Sequence, residues 1–237
     1  MTSDNGAPIG RRVVLGVLAF GALGVAFGRT LSDAEQGVLG VVGPRDPTGL
    51  TQLIPAGAGF RFYSVTSSIP RRDPATLRVS VGGLVRTPRA WSMAQLAAMP
   101  QTTLERDFQC VTGWRVPSVA WSGVALPDLL DAVRPRPEAT AVRFTSYDGS
   151  YSESLTLDQA RRRDVLVATS MQGGPISNAH GGPVRLAVLP MYGYKSTKWL
   201  DTIELTADVQ PGYWEHRGYD VDGFVGRSNG RSDEPTG

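Results

Sequence analysis

The chain holds one cysteine, Cys110, within Phe108-Gln109-Cys110-Val111-Thr112-Gly113-Trp114-Arg115. A single thiol has no internal disulfide partner, so its uses reduce to burial, an intermolecular bond, a nucleophile or a metal ligand. Three further clusters carry side chains suited to chemistry. They are His180-Gly181-Gly182-Pro183-Val184-Arg185, then Tyr192-Gly193-Tyr194-Lys195-Ser196-Thr197-Lys198-Trp199, then Tyr213-Trp214-Glu215-His216-Arg217-Gly218-Tyr219. His180 precedes two glycines, which let the backbone approach a ligand closely. Arg185 falls in an apolar stretch, where a guanidinium needs an anion or a carboxylate. Lys195, Ser196 and Lys198 put two ammonium groups and a hydroxyl within four residues, a set that suits a phosphate. A solvated basic loop would account for the lysines but not for the aromatic residues among them.

Several chemistries are excluded. Two histidines and one cysteine, with no Cys-x-x-Cys and no His-x-x-x-His, give no structural zinc site. There is no P-loop and no Gly-x-Gly-x-x-Gly after a strand, so a nucleotide cofactor is not indicated. A formal net charge of +2, from 24 basic and 22 acidic residues, gives no case for nucleic acid. Three readings stay open on the residues alone. A Cys-dependent hydrolase would pair Cys110 with His180 or His216, but leaves Arg185 and Lys-Ser-x-Lys unexplained. A non-catalytic module could simply bind anions. The third reading is a metal held by one protein thiolate, its other ligands supplied by an organic, phosphate-bearing cofactor.

These residues must be positioned by short elements. Gly 28 and Pro 17 in 237 residues imply many turns, and 41% apolar content suffices for one core. Alternation predicts strands over 77–81, 104–108, 141–147, 165–169, 184–189 and 202–205. Ser92 and Thr156 read as caps of short helices over 92–99 and 156–161, and 126–133 reads as a helix with proline in its first turn. Short strands and helices interspersed, without long βαβ units, predict an α+β fold. The expected organisation is a leader over 1–30, a linker over 31–59, one catalytic domain over 60–226, and a polar, frayed tail over 227–237.

The leader has its own signal. Arg11-Arg12 precedes an uncharged run over 13–27. That pattern reads as an export signal or a retained anchor, and it resembles a twin-arginine signal. The protein is therefore expected to face the extracytoplasmic side, exported or anchored.

Taken together, the motifs resemble the molybdopterin-binding catalytic domain of the sulfite oxidase family, in its small bacterial form. Phe108-Gln109-Cys110-Val111-Thr112-Gly113-Trp114 and Trp121-Ser122-Gly123-Val124-Ala125-Leu126 resemble its metal-cysteine segment. His180-Gly181-Gly182-Pro183-Val184-Arg185 and Gly193-Tyr194-Lys195-Ser196-Thr197-Lys198-Trp199 resemble its cofactor segments. The resemblance implies a sulfite-oxidase-type fold of mixed short strands and helices and a molybdenum-molybdopterin cofactor. It implies Cys110 as the metal ligand, with His180, Arg185, Lys195, Ser196 and Lys198 holding pterin and phosphate. Arg115 and Tyr219 match substrate-pocket residues of the sulfite oxidases. Trp114 departs from those oxidases, and two extra residues separate Tyr219 from Gly223-Phe224. The implied activity moves an oxygen atom to or from a small-molecule substrate, a sulfite-like oxyanion or a sulfoxide. No haem-binding region is found, so electrons would pass through a separate partner. The periplasmic methionine-sulfoxide reductases, which pair with a membrane haem protein, offer the alternative within the class.

Overall fold

The computed structural model describes residues 64–66 and 69–236. The leader, the linker and residues 60–63 of the expected catalytic domain lie outside the described residues. The compact unit that carries the chemistry runs from Val65 to Gly237.

Local sequence rules explain most of its elements. In β1, Arg78–Gly83, Val79 and Val81 point into the core while Arg78 and Ser80 face solvent, the period of two that an extended strand imposes. Helix α1, Met93–Ala98, opens with a capping box. Ser92 Oγ accepts from the Gln95 amide, and Gln95 Oε1 accepts from the Ser92 amide. Thr156 and Gln159 repeat the device at α3, Leu157–Ala160. In α2, Leu126–Val133, the side chains of Leu126, Leu129, Leu130 and Val133 form one buried stripe at helical spacing.

The strands form two sheets. The first runs β2 (Arg89–Ser92), β1, β10 (Leu200–Thr206), β5 (Ala141–Ser146), β6 (Ser152–Thr156). Within it only β1 and β10 are parallel. The second runs β3 (Thr102–Gln109), β4 (Arg115–Ala125), β7 (Val165–Met171), β8 (Gly174–Pro175), and β9 (Arg185–Val188) also pairs with β7. Val79, Ile203 and Phe144 of the first sheet, Val124, Val167 and Leu186 of the second, and the α2 stripe belong to one apolar cluster. The fold is thus α+β, as the sequence predicts.

Two findings go beyond the sequence reading. Strand β4 is eleven residues long although Pro117 and Gly123 interrupt its pattern, because β3 and β7 pair with it from both sides. The polar tail also makes hydrogen bonds to the domain. Arg115 donates to the carbonyls of Glu234 and Pro235 at 3.0 and 2.9 Å, Tyr192 donates to Asp233 at 2.8 Å, and Thr236 donates to the Leu189 carbonyl at 2.8 Å. Polarity identifies residues that can live in solvent, but here their hydrogen bonds are made to the domain. Among the described residues, no helix is long and apolar enough to cross a membrane.

Leu129 is fully buried in the α2 stripe. Leu129→Ala is expected to destabilise the domain by about 2–5 kcal/mol. A lowered urea midpoint with an unchanged slope would register it.

Candidate functional site

Cys110 sits in the tight turn that joins β3 to β4. Its amide donates to the Trp114 carbonyl at 2.9 Å, and its carbonyl accepts from the Gly113 amide at 3.0 Å. The turn thus closes on itself and leaves the thiol partly exposed, 3.2 Å from Thr112 Oγ1.

Arg185 opens β9, whose four residues are all buried. Its guanidinium donates to three carbonyls: His180 at 2.6 Å, Ser196 at 3.1 Å and Leu186 at 3.3 Å. It also lies over the rings of Trp121, at 5.1 Å, and Phe108, at 6.0 Å. Among the described residues no carboxylate pairs with it. Burial pulls its pKa down to about 10, an unusual strain on a guanidinium. One side chain therefore ties the histidine loop, the serine–lysine loop and the aromatic floor beside Cys110.

Lys198 approaches the same place. Gly181 has φ +95°, and a Cβ there would meet Lys198 Cβ and Cγ at 2.7 Å, so glycine lets the lysine stem pass. Lys198 Nζ donates to the Ala179 carbonyl at 3.1 Å. Burial holds its pKa well below the usual value, and Arg185 lowers it further, while the Cys110 thiol acts in the opposite sense. His180 is pushed down to about 4, first by burial and then by Lys198 and Arg185. Cys110, His180, Arg185 and Lys198 thus share one electropositive region, in which the imidazole is neutral at physiological pH.

The loop between them is closely built. Gly193 is flush with the Phe108 ring, which a Cβ would approach within 2.4 Å. Ser196 Oγ accepts from the Val188 amide at 3.0 Å. Thr197 is fully buried, and its Oγ1 has no hydrogen-bond partner. Sequence reasoning passed over Thr197. Its place between two suspected ligands was the available signal.

Lys195 has other partners. Its side chain is fully buried, and its ammonium donates to Glu153 at 2.8 Å, to Glu215 at 2.5 Å and to the Val221 carbonyl at 2.9 Å. Three N–H groups meet three acceptors, so none remains for a phosphate. The Lys195 ammonium is thus fully engaged by protein acceptors in this structure. Sequence reasoning missed Glu153 and Glu215 as its partners.

Arg115 is also committed. Its Nε donates to Asp107 at 2.7 Å, and its two terminal nitrogens meet the tail carbonyls described above. Tyr219 stacks on Trp214 at 5.3 Å and meets Tyr194 edge-on at 5.3 Å. Val111, the neighbour of Cys110, packs against the same aromatic cluster. The open depression over β1, β2 and β10, lined by Gly82, Arg89 and Glu204 among others, contains none of these residues.

This region fits an anionic cofactor on two counts. A buried guanidinium lacks a carboxylate, and a buried hydroxyl, Thr197 Oγ1, lacks any partner. Among the described residues no three His, Cys, Asp or Glu side chains cluster to hold a metal. A metal bound beside Cys110 would accordingly draw its remaining ligands from the cofactor.

Comparison with known proteins decides the class. The family model of the oxidoreductase molybdopterin binding domain matches residues 66–214. The chain belongs to this family. Among relatives of this molybdopterin-binding oxidoreductase is an uncharacterized oxidoreductase, YuiH, of Bacillus subtilis, 32% identical over 67% of this chain and 80% of that protein. The protein-methionine-sulfoxide reductase catalytic subunit MsrP of Ralstonia nicotianae is 30% identical over 74% of this chain and 59% of its own length. A sulfite oxidase of Arabidopsis thaliana is 30% identical over 60% of this chain and 44% of its own. The sulfane dehydrogenase SoxCD of Paracoccus pantotrophus shares the fold, with a TM-score of 0.56 at 21% identity over 60% of this chain and 41% of that one.

The depressed His180 pKa sets a pH dependence. Between about 4 and the ordinary 6.5, the unfolded chain takes a proton that the folded chain refuses. Stability should therefore fall as pH drops through 6.5, by about 2 kcal/mol at pH 5. His180→Gln should flatten that slope. Urea unfolding of cofactor-free protein at pH 5 and pH 7.5 would measure both.

Proposed function

We propose that this molybdopterin-binding oxidoreductase transfers an oxygen atom to or from a small substrate, with Cys110 as the single protein ligand of the metal. The observation that carries the reading is the buried Arg185 without a carboxylate, beside the unpartnered Thr197 hydroxyl. When bound, the molybdenum cofactor supplies the two-electron redox centre.

The chain's own residues do the rest. Lys198 and Arg185 lie near Cys110 and favour its thiolate form, the form that binds metal. Arg185, Ser196, Thr197 and Lys198 hold pterin and phosphate through charge-assisted contacts and the free hydroxyl. A neutral His180 can hydrogen-bond the pterin without adding charge. Tyr219 orients substrate at the reacting centre, and its phenol can donate one hydrogen bond there.

A second reading, reduction of a protein-bound or free methionine sulfoxide, is favoured by Arg115. Each of its three nitrogens already donates to Asp107 or to a tail carbonyl. An oxyanion such as sulfite would have to use the two remaining N–H groups or compete with the tail carbonyls, whereas a neutral sulfoxide makes no such demand on the guanidinium. Electrons would be exchanged with a separate partner, a membrane haem protein being one form, and Arg11-Arg12 supports export to the extracytoplasmic side.

Metal analysis and turnover test the assignment. Cys110→Ser should abolish oxygen transfer while the fold survives. Lys198→Ala removes a charge-assisted contact worth ~1.5–3 kcal/mol and should weaken cofactor retention about tenfold to a hundredfold. Full activity in the serine variant would refute the metal assignment. Sulfite oxidation with a dye acceptor, set against methionine-sulfoxide reduction with a dye donor, distinguishes the two substrates.

A further inference from the structure

Lys195 lies one residue before Ser196-Thr197-Lys198, yet its ammonium turns away into a separate buried pocket. Its side chain and that of Glu153 have no exposed surface, and Glu215 has 1%. Two of its three acceptors, the Glu215 carboxylate and the Val221 carbonyl, come from residues four before and two after Tyr219. The third, Glu153, belongs to β6 in the first sheet. Tyr194, the neighbour of Lys195, donates to the Asp220 carbonyl at 2.7 Å and accepts from Asn229 Nδ2 at 3.1 Å. The loop carrying Tyr219 is thus gripped on both flanks by consecutive residues of the proposed cofactor loop. Trp214, stacked on the Tyr219 ring, caps the 3-10 turn Glu215–Arg217 that bears the gripped carboxylate.

Such a buried ion cluster calls for an explanation other than stability. Apolar side chains of the same volume often stabilise a fold as well as buried ions, because desolvation offsets the attraction between the charges. Hydrogen-bonded charges, unlike apolar contacts, fix direction.

We propose that Lys195 is a positioning residue for the reaction: through Glu215 and Val221 it fixes the Tyr219 loop to the loop that holds the cofactor. The proposal rests on the reading that Tyr219 acts at the reacting centre. It assigns to Lys195 a task distinct from phosphate binding, and it makes placement of the substrate loop depend on the cofactor loop.

The test compares Lys195→Met, Tyr219→Phe and the double variant in the loaded enzyme, with molybdenum measured on each. Methionine keeps the apolar stem and removes the three donors. The expected result is molybdenum content near that of the parent, with turnover per metal atom reduced about tenfold to a hundredfold. In the Lys195→Met background, Tyr219→Phe should add less than a twofold further loss, because the phenol is already misplaced. Losses that multiply would overturn the proposal, as would metal loss in proportion to activity. If Tyr219→Phe alone leaves turnover unchanged, the reading of Tyr219 fails, and the positioning role fails with it. The hold on the loop itself is read separately from Trp214. Its emission, isolated by difference against Trp214→Phe, should shift to the red in Lys195→Met, and an unshifted spectrum would refute the hold whatever the activities. If Lys195→Met does not fold, Glu215→Gln serves in the same comparison, since it keeps the shape and weakens the same grip.

Discussion

The site depends on one buried guanidinium. Arg185 reaches the His180 carbonyl on one side, the Ser196 carbonyl on the other, and the Phe108 and Trp121 rings between. Its charge is compensated by carbonyl dipoles and ring faces rather than by a carboxylate, which leaves a standing preference for an anion. Burial first, and this charge after it, lower the pKa values of His180 and Lys198. Electrostatics and geometry therefore have a common origin. The fully buried β9 places the guanidinium, and the guanidinium sets the character of the pocket.

Much of this was legible in the sequence for local reasons. Ser92 with Gln95 and Thr156 with Gln159 announce their helices because a cap is decided within four residues. An arginine in an apolar strand announces a buried charge, and its need for an anion follows without coordinates. What stayed hidden was non-local. Glu153 lies 42 residues from Lys195 in the chain, and nothing near either residue indicates that they meet. Lys195 and Lys198 look alike in a basic loop, yet a turn of the backbone sends one ammonium toward Cys110 and the other toward two carboxylates. Strand β4 was hidden for a related reason, since its pairing partners on both sides outweigh its own proline and glycine.

The cofactor loop and the tail impose different kinds of order. Around Lys195 order comes from buried, charged hydrogen bonds with their donors fully used. Around Arg115 it comes from backbone carbonyls at the surface, which water can replace at little loss. One side of the site is therefore stiff and the other exchangeable. That arrangement suits a centre whose cofactor must stay while its substrates come and go.

The parallel pairing of β1 with β10 has a consequence for how the protein is made. Strand β10 lies between β1 and β5, so the first sheet lacks its central member until residue 206 has left the ribosome. The loop from Gly193 to Lys198 is anchored by β9 on one side and β10 on the other. A nascent chain shorter than this has two half-sheets and no closed anion pocket. Cofactor capture is in this way deferred until β10 has been made and the first sheet can close.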